Sequence, residues 1–302
     1  RLLDWYDAER RHLPWRYAPG QVADPYRVWL SEVMLQQTQV STVIPYYARF
    51  LDRFPDIPAL AQAPVETVLE LWAGLGYYAR ARNLHRCAQT LVANHCGSFP
   101  KSAGEIVQLP GIGRSTAAAI AAFAFGQRAA ILDGNVKRVL TRCFGIDGIP
   151  GTAQTDRQLW ALAQSLLPRT DIEHYTQGLM DLGASLCARS KPRCANCPMT
   201  EICVAQQTGR QTELPAIKLK KARPERHTSM LLLTDRKRVL LERRPPTGIW
   251  GGLLSLPEGS ETDAAKLARR HGAGLQKIEA LTSVKHSFTH FHLLIHPLLC
   301  TV

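Results

Sequence analysis

The sequence predicts two domains, a mainly helical N-terminal region and a smaller C-terminal domain of the α+β class. Residues 25–127 carry apolar side chains at the three-and-four spacing of amphipathic helices. Residues 229–297 instead contain short apolar runs, some of them alternating, which is typical of strands. A polar stretch at residues 206–211 is followed by a basic stretch at residues 218–224 that follows neither period, so this part of the chain predicts a connection between two cores.

Local patterns predict the helices of the first domain. Helical spacing is clearest in residues 28–43 and 65–71, and residues 117–124 are rich in alanine, the strongest helix former. Prolines and glycines recur between these segments and leave helices of ordinary length joined by short connections. No strand is expected in this region.

The second domain is predicted to combine strands with one helix. Residues 229–234 and 239–242 are short apolar runs, and residues 281–297 alternate in part. The expected helix covers residues 263–271.

Charge and cysteine usage narrow the class of protein. A net charge of +12 attracts polyanions, and nucleic acid is favoured over a membrane because no apolar run could cross a bilayer. The first residues show no signal-peptide pattern, which favours a cytoplasmic protein. Four of the eight cysteines lie within residues 187–203, and such clustering in a cytoplasmic chain indicates metal binding.

These four cysteines are separated by six, two and five residues, so their thiolates can meet at one soft metal centre. Zinc and an iron–sulfur cluster are both compatible with four thiolates, and unliganded structural cysteines are the alternative. The loop also carries basic side chains that suit contact with phosphates. The cysteines are Cys187, Cys194, Cys197 and Cys203, and the basic residues are Arg189, Lys191 and Arg193.

A glycine-containing turn precedes the alanine-rich helix. Gly111 and Gly113, within residues 109–116, predict a tight turn that exposes backbone amides at a helix N-terminus. Those amides and the helix dipole favour an anion such as a DNA phosphate, although most such turns are only helix starts. Ser115 is expected either to cap the helix or to contact the substrate.

Four features together resemble the MutY-type adenine DNA glycosylases of the endonuclease III superfamily. They are residues 29–38, the hairpin at residues 109–116, residues 131–138 and the six-two-five cysteine spacing. The resemblance implies a helix-hairpin-helix glycosylase region at 1–209 with a 4Fe-4S cluster on the four cysteines, followed by a Nudix-like domain. It implies a six-helix barrel at about 25–128, an iron–sulfur subdomain from 1–24 and 129–209, a linker at 210–226 and the Nudix-like domain at 227–302.

Two carboxylates are the catalytic candidates. Hydrolysis of an N-glycosidic bond needs an acid for the leaving base and an anion for the positive sugar. Glu32 lies among apolar residues that would raise its pKa and keep it protonated. The resemblance implies that Glu32 protonates adenine at N7, that ionised Asp133 stabilises the oxocarbenium ion, and that Asn135 lies close by.

The resemblance also implies contacts with the duplex. Gln37 and Tyr77 match positions that enter the DNA near the lesion and fill the space of a flipped base, and Thr38 is assigned to the same surface. Packing between helices is the alternative role of these side chains.

The hairpin carries the distinction between hydrolysis and strand cleavage. The resemblance places Gly111, Gly113 and Ser115 against the DNA. Endonuclease III-like enzymes have a lysine at the position of Ser115, where it forms a Schiff base with the sugar. Serine cannot form an imine, so a monofunctional glycosylase that leaves an abasic site is expected.

The C-terminal domain resembles a Nudix domain without its catalytic residues. Residues 248–257 are similar to the strand region of that family, but the metal-binding glutamates of the catalytic box are absent, which disfavours nucleotide hydrolysis. Residues 284–292 resemble the loop that recognises 8-oxoguanine, with Phe288, Thr289 and His290 as candidates. Thr289 replaces the serine of many relatives and keeps its hydroxyl. Without the resemblance, this pattern would indicate an edge strand.

The resulting expectation is a base excision repair enzyme that hydrolyses the N-glycosidic bond of adenine opposite 8-oxoguanine or guanine in double-stranded DNA. A monomeric, nucleoid-associated bacterial protein of the cytoplasm, without membrane contact, is expected. A thymine or oxidised-pyrimidine DNA glycosylase on the same scaffold is one alternative, which Ser115 and the Nudix-like domain disfavour. A non-catalytic DNA-binding protein is the other, but it would have no need for Glu32 and Asp133.

Overall fold

The computed structural model describes residues 1–18, 21–217, 222–245 and 248–302, and the chain forms two compact units, Arg1–Lys218 and Leu219–Val302. The first unit is helical as predicted, and its described residues form no strand beyond an isolated bridge between Pro150 and Thr152. Its α-helices are α1 Leu2–Glu9, α2 Pro25–Leu35, α3 Val40–Arg53, α4 Ile57–Gln62, α5 Val65–Trp72, α6 Ala79–His95, α7 Ala103–Ile106, α8 Arg114–Phe125, α9 Gly134–Phe144, α10 Ala153–Ser165, α11 Ile172–Ser185 and α12 Val204–Gln207. Short 3-10 helices cover Cys194–Asn196 and Thr200–Ile202.

The apolar stretch at residues 28–43 forms two helices, although its spacing is continuous. α2 ends at Leu35 and α3 begins at Val40, and the polar residues between them form a turn in which Gln37 has a φ of 57°. α2 starts at an aspartate cap, because Asp24 Oδ1 accepts a hydrogen bond from Tyr26 N at 2.9 Å. The sequence period therefore describes a shared buried face and does not show where the helix breaks.

The core of the first unit encloses α2. This helix packs against α3, α6 and α8, and Trp29, Leu30 and Met34 on it are fully buried. Phe50 of α3 and Trp72 of α5 complete this part of the core. Burying each large apolar side chain contributes roughly 1.5–3 kcal/mol, so the backbone that carries Glu32 is held firmly.

α9 and α11 approach each other closely near the start of α9. A Cβ atom built on Gly183 of α11 would lie 2.6 Å from Cβ of Asn135 and 3.1 Å from its backbone. Only glycine allows this contact, so the small residue on α11 sets the position of the first turn of α9.

The second unit combines a mixed sheet with one helix. β1 Glu225–Thr234 pairs in parallel with β6 His292–Thr301, and β6 also pairs with antiparallel β4 Lys277–Ala280 and β5 Val284–Ser287. β2 Glu242–Arg243 and β3 Leu254–Ser255 form a separate two-stranded sheet. The predicted helix is confirmed as α13 Glu261–Arg270, which begins two residues earlier than expected. The core of the second unit is formed by Leu231, Leu233, Ala264, Ala268 and Cys300.

The first part of the predicted linker packs within the first unit. Arg142 Nε donates a hydrogen bond to Leu214 O at 2.8 Å, within the stretch predicted as a linker at 210–226. The lysine-rich part of that prediction, residues 218–221, lies outside the described residues, and β1 already begins at Glu225. Among the helices that the structure describes, none is both long and apolar enough to cross a membrane.

Candidate active site

A cavity of about 480 Å³ in the first unit reaches the side chain of Glu32. Its walls come from α2, from the segment that precedes α2, and from α11. The polar and aromatic side chains that line it, besides Glu32, are Arg11, Trp15, Arg16, Tyr17, Phe123, Glu173 and Gln177. The sequence analysis missed these residues, because a single sequence does not show that α11 and the segment at residues 11–17 fold against α2.

Two of the cavity arginines are fixed by one buried carboxylate. Asp181 of α11 is 1% exposed, and its Oδ1 accepts hydrogen bonds from Arg11 Nε and Arg16 Nη2, each at 2.6 Å. Burial acts to raise the pKa of Asp181, but the hydrogen bonds and charges of Arg16 and Arg11 outweigh it and lower that pKa. Asp181 therefore stays ionised and holds positive charge at the cavity wall.

Glu32 has the raised pKa that its apolar sequence context predicts. The carboxyl is partly exposed toward the cavity, yet protein atoms surround it closely. Burial raises the pKa of Glu32 to about 7, the charge of Asp133 acts in the same direction, and Arg16 opposes both. Near neutral pH this group can therefore either donate or accept a proton.

Asp133 lies at the N-terminus of α9, in a different environment. Its Oδ1 accepts a hydrogen bond from Val136 N at 2.7 Å, and its Oδ2 accepts one from Asn135 Nδ2 at 3.2 Å. Burial raises the pKa of Asp133 overall, although hydrogen bonds from Val136 and Asn135 and the charge of Arg138 act to lower it. Those hydrogen bonds favour the anion of Asp133, whereas the influences that act on the pKa of Glu32 are burial and the charges of Asp133 and Arg16.

Arg138 fixes Asn135 and was not singled out from the sequence. Its Nη2 donates to Asn135 Oδ1 at 2.9 Å and to Gly183 O at 2.7 Å, while its Nε donates to Cys187 O at 2.8 Å. One guanidinium therefore joins the Asp133 segment to α11 and to the first cysteine of the loop. Its position one helical turn after Asn135 was the available signal.

Ser115 does not cap α8, so that expectation is wrong. The cap position is Gly113, which makes no side-chain hydrogen bond, and Ser115 Oγ instead accepts a hydrogen bond from Leu132 N at 3.0 Å. The hydroxyl is thus turned toward the segment that leads into Asp133. Ser115 connects the hairpin to the catalytic candidate.

The structure requires glycine at one of the two hairpin positions, Gly111, but not at the other, Gly113. Gly111 has a φ of 76°, and a Cβ atom there would lie 2.5 Å from Cβ of Asn83, so both backbone conformation and space require glycine. Gly113 has a φ of −87° and open space around it. Both are exposed, and Gly113 leads directly into α8, which leaves the amides of the first turn accessible to an anion.

Gln37 and Tyr77, the two residues expected to enter the duplex and called the wedge residues below, lie on exposed turns. Gln37 is exposed with a φ of 57°, and Tyr77 is 44% exposed with a φ of 49°. Thr38 Oγ1 donates to Gln36 O at 3.3 Å, within the same turn as Gln37. Neither Gln37 nor Tyr77 is packed in the core, so the alternative role of helix packing is not supported for them.

All four clustered cysteines line one cavity of about 380 Å³. The rest of its lining comes from the apolar Val139, Leu182 and Leu186, the buried Arg142 and Cys143, and the polar Thr200, Gln206 and Gln211. In the described part of the chain, no group of three or more His, Cys, Asp or Glu side chains is arranged to hold a single metal ion. The four cysteines instead surround the cavity, and four soft thiolate donors around one mostly apolar space suit an iron–sulfur cluster.

Arg142 fastens the cysteine loop to α9. Its Nη1 donates to Cys187 Sγ at 3.4 Å and to Ala188 O at 2.7 Å, and its Nη2 donates to Arg189 O at 3.2 Å. α9 therefore carries Asp133 at its N-terminus and a residue contacting the cysteine cavity at its other end.

The predicted loop of the second unit is part of an aromatic cluster. Phe288 lies 4.5 Å from the His286 ring, 5.6 Å from Trp250 and 4.7 Å from Phe291, measured between ring centroids. Thr289 and His290 are exposed beside it, and the His290 and Phe291 ring centroids are 4.7 Å apart. Trp250 belongs to the segment at 248–257 that the sequence analysis assigned only to the fold.

Comparison with known proteins gives two family matches. Residues 30–165 match the HhH-GPD superfamily of base excision DNA repair proteins, and residues 228–302 match the NUDIX domain family. A curated relative, the adenine DNA glycosylase of Buchnera aphidicola subsp. Baizongia pistaciae, is 38% identical over 300 residues, which cover 98% of this chain and 84% of the relative.

Two solved structures share the fold of the first unit. A thermostable thymine-DNA glycosylase is similar with a TM-score of 0.60 and 29% identity, over 68% of this chain and 94% of that one. Endonuclease III in a non-covalent DNA complex is similar with a TM-score of 0.58 and 20% identity, over 69% of this chain and 92% of that one.

Proposed function

Because the chain belongs to the adenine DNA glycosylase family, within the HhH-GPD superfamily of base excision DNA repair proteins, we propose that it hydrolyses the N-glycosidic bond of adenine paired with 8-oxoguanine or guanine in double-stranded DNA. One observation carries the proposal. Glu32, with a pKa of about 7, borders the cavity of the first unit and is close enough to Asp133 to be affected by its charge. Two carboxyl groups in such different environments can act as acid and anion in one site.

The first step is proton transfer from Glu32 to N7 of the extruded adenine. Protonation makes adenine a better leaving group, and the electron pair of the glycosidic bond departs with the base. The cavity supplies Trp15 and Tyr17 for contact with the ring and Glu173 and Gln177 for its polar edge. Arg16 beside Glu32 favours the carboxylate that remains after transfer.

Asp133 stabilises the positive charge that develops on the sugar. Hydrogen bonds from Val136 N and Asn135 Nδ2 orient the carboxylate, and Arg138 holds Asn135 in turn. A water molecule then attacks C1′ of the sugar, and Glu32, now ionised, accepts its proton. The protons balance, because Glu32 gives one to adenine, takes one from the attacking water and ends the cycle protonated as it began.

We further propose that the product is an abasic site in an intact strand. Ser115 at the hairpin has no amine, and its hydroxyl is occupied by Leu132 N. Introducing a lysine with Ser115→Lys is expected to add strand cleavage that borohydride traps as a covalent adduct, and wild-type protein is expected to give no adduct under the same conditions.

Cys187, Cys194, Cys197 and Cys203 are the proposed ligands of a 4Fe-4S cluster. The cluster, when bound, supplies a structural anchor for the loop between α11 and α12. The exposed Arg189, Lys191 and Arg193 of that loop can then contact DNA phosphates.

Recognition of 8-oxoguanine is assigned to the aromatic cluster of the second unit. Phe288 offers a ring face, and Thr289 and His290 offer exposed hydrogen-bonding groups for the altered edge of the base. The missing Nudix glutamates are consistent with a binding role for this unit.

Base release from defined mispairs tests the proposal. Purified protein is incubated with duplexes containing adenine opposite 8-oxoguanine, adenine opposite guanine, and thymine opposite guanine. Free base is quantified, and strand breaks are compared before and after alkali. Glu32→Gln is the test variant, and Glu70→Gln, an exposed glutamate on α5, is the matched control.

Wild-type protein and the control should release adenine, fastest opposite 8-oxoguanine, with breaks appearing after alkali. Glu32→Gln should release adenine at least about 10²-fold more slowly. Thymine release without adenine release would instead support the activity named for the thymine-DNA glycosylase to which the first unit is similar. Tight binding without release of any base would support a DNA-binding protein.

A further inference from the structure

Arg80, in the first turn of α6, holds the C-terminal end of α2. Its Nη1 is 2.9 Å from Val33 O, 2.8 Å from Met34 O and 2.6 Å from Gln36 O, with the guanidinium donating. These carbonyls belong to the last turn of α2 and the residue after it, where the regular hydrogen bonds of the helix end, although Val33 O also accepts a long hydrogen bond of 3.4 Å from Gln36 N. A cation at this end of a helix satisfies the carbonyls and interacts favourably with the helix dipole.

The same guanidinium also holds the turn before α6. Its Nη2 donates to Leu75 O and Gly76 O, each at 3.3 Å. Its central carbon lies 5.3 Å from the ring centroid of Trp72 and 5.5 Å from that of Tyr77, within the range of cation–π attraction. Arg80 thus ties two turns together that are separated by about 40 residues of sequence, as its bonds to Gln36 and Gly76 show.

Each of these turns carries one of the exposed wedge residues in a strained backbone conformation. Gln37 follows Gln36, Tyr77 follows Gly76, and both have positive φ angles of 57° and 49°. A left-handed conformation costs a non-glycine residue roughly 1–2 kcal/mol, so surrounding contacts must maintain it. Arg80 contacts the backbone immediately before each of the two residues.

We propose that Arg80 is the positioning residue that holds Gln37 and Tyr77 as one rigid wedge, so that both enter the duplex together when adenine is extruded. The inference rests on the proposed function, because it assumes that these residues act on a flipped base. Arg80 itself does not reach the adenine cavity, whose lining it is not part of. Its contribution is therefore to base extrusion, and the bond-breaking step on an already extruded base does not depend on it.

A role in phosphate binding is a poorer explanation for this arginine. Its terminal nitrogens are directed at backbone carbonyls and Thr38 Oγ1, and its Nε is buried without a partner in the part of the chain that the structure describes. An arginine that contacts phosphate would keep its planar fork open to solvent. The terminal nitrogens of Arg80 already donate to acceptors within the protein.

Two duplexes separate extrusion from bond cleavage. Both contain adenine opposite 8-oxoguanine, but in the second the base pairs that flank adenine are mismatched, which lowers the energy needed to extrude it. Adenine release is measured in single turnover with saturating enzyme for wild type, Arg80→Gln and Arg80→Lys. Arg128→Gln is the matched control, because the Arg128 guanidinium also bonds backbone carbonyls, those of Leu167 and Pro168, away from both turns.

Arg80→Gln should slow adenine release at least tenfold on the paired duplex and less than threefold on the weakened one. Arg80→Lys should lie between this variant and wild type, since lysine keeps the charge but not the fork. If Arg80→Gln does not fold, as judged by its thermal unfolding, the Arg80→Lys ratio between the two duplexes decides. An equal loss on both duplexes, or no loss on either, overturns the inference while the proposed function stands. Failure of wild type to release adenine from either duplex overturns the proposed function as well.

Discussion

The proposed catalytic centre of the first unit and the aromatic cluster of the second are held in contrasting ways. Around Glu32 and Asp133, positions are fixed by charged hydrogen bonds between separate parts of the chain, such as those from Arg138 of α9 to Gly183 O of α11 and from Arg16 to Asp181 of α11. Around Phe288, ring contacts dominate, and most of the side chains involved remain in contact with solvent.

The difference follows from what each region is proposed to do. Proton transfer and charge stabilisation require catalytic groups to be held within a few tenths of an ångström, and buried charge-assisted hydrogen bonds provide this. Stacking on a base face tolerates small displacements, because dispersion and hydrophobic contact depend weakly on direction. Substitutions in the first region are therefore expected to change the rate of chemistry, and those in the second to change the choice of substrate.

The largest effect is expected from Asp133→Asn. The amide keeps the size of the side chain but cannot stabilise a cationic sugar, so single-turnover adenine release should fall about 10³-fold or more. Duplex binding, measured with a non-hydrolysable adenine nucleotide, should change little. A loss of binding equal to the loss of rate would show that Asp133 contributes to DNA binding and would contradict the view that the first region acts on the rate of chemistry.

A second, smaller effect is expected from Arg138→Gln. Loss of the guanidinium removes the donor to Asn135 Oδ1 and Gly183 O and one of two donors to Cys187 O, so Asn135 no longer orients the Asp133 carboxylate. Substitution of such supporting residues typically costs about 10–100-fold, and that range is expected for the rate of adenine release.

Lys137→Gln is the control on the same helix. Lys137 pairs with Asp156 at 2.7 Å and makes a partly exposed ion pair, which contributes about 0–1 kcal/mol. Its rate should remain within roughly threefold of wild type. If both variants lose activity equally, the effect of Arg138 is a general one on α9 and not a specific one on Asn135.

The helical pattern allowed much of this architecture to be predicted, and the reason is local. Amphipathic spacing and proline positions depend on neighbouring residues, so α5 Val65–Trp72 and α8 Arg114–Phe125 follow from short windows. The turn at Gln37 escaped prediction because the buried face continues across it, and only the packing of α2 and α3 shows the break.

The site was predicted unevenly for the same reason. Glu32 and the four cysteines lie in segments with a recognisable chemistry, whereas Arg16, Asp181 and Glu173 come together only because α11 folds against the N-terminal part of the chain. Ser115 was expected either to cap its own helix or to contact the substrate, and in the structure its hydroxyl accepts a hydrogen bond from Leu132 N of a neighbouring segment instead of capping the helix. Contacts between residues far apart in sequence are absent from any local pattern.

The pH dependence of the reaction sharpens the assignment of Glu32. Its pKa is raised to about 7, and the proposed acid must be protonated, so the rate should fall as the pH rises through 7. The expected slope is about tenfold for each pH unit, because the protonated fraction decreases by that factor. The residual rate of Glu32→Gln should lose this dependence. A flat wild-type profile from pH 6 to 9 would exclude Glu32 as the acid.

The smallest effect is expected from Trp250→Ala in the second unit. The Trp250 ring lies 5.6 Å from both the Phe288 and the His286 ring centroids, and aromatic pairs of this kind contribute about 0.5–1.5 kcal/mol each. The preference for adenine opposite 8-oxoguanine over adenine opposite guanine, taken as a ratio of rates at limiting enzyme, should therefore fall roughly two- to twelve-fold. Leu254→Ala, an exposed residue of β3, is the control in the same unit and should leave the ratio unchanged. If Trp250→Ala instead slows the single-turnover rate on both mispairs equally, the second unit contributes to chemistry, and the division of labour between rigid polar and adaptable aromatic regions is wrong.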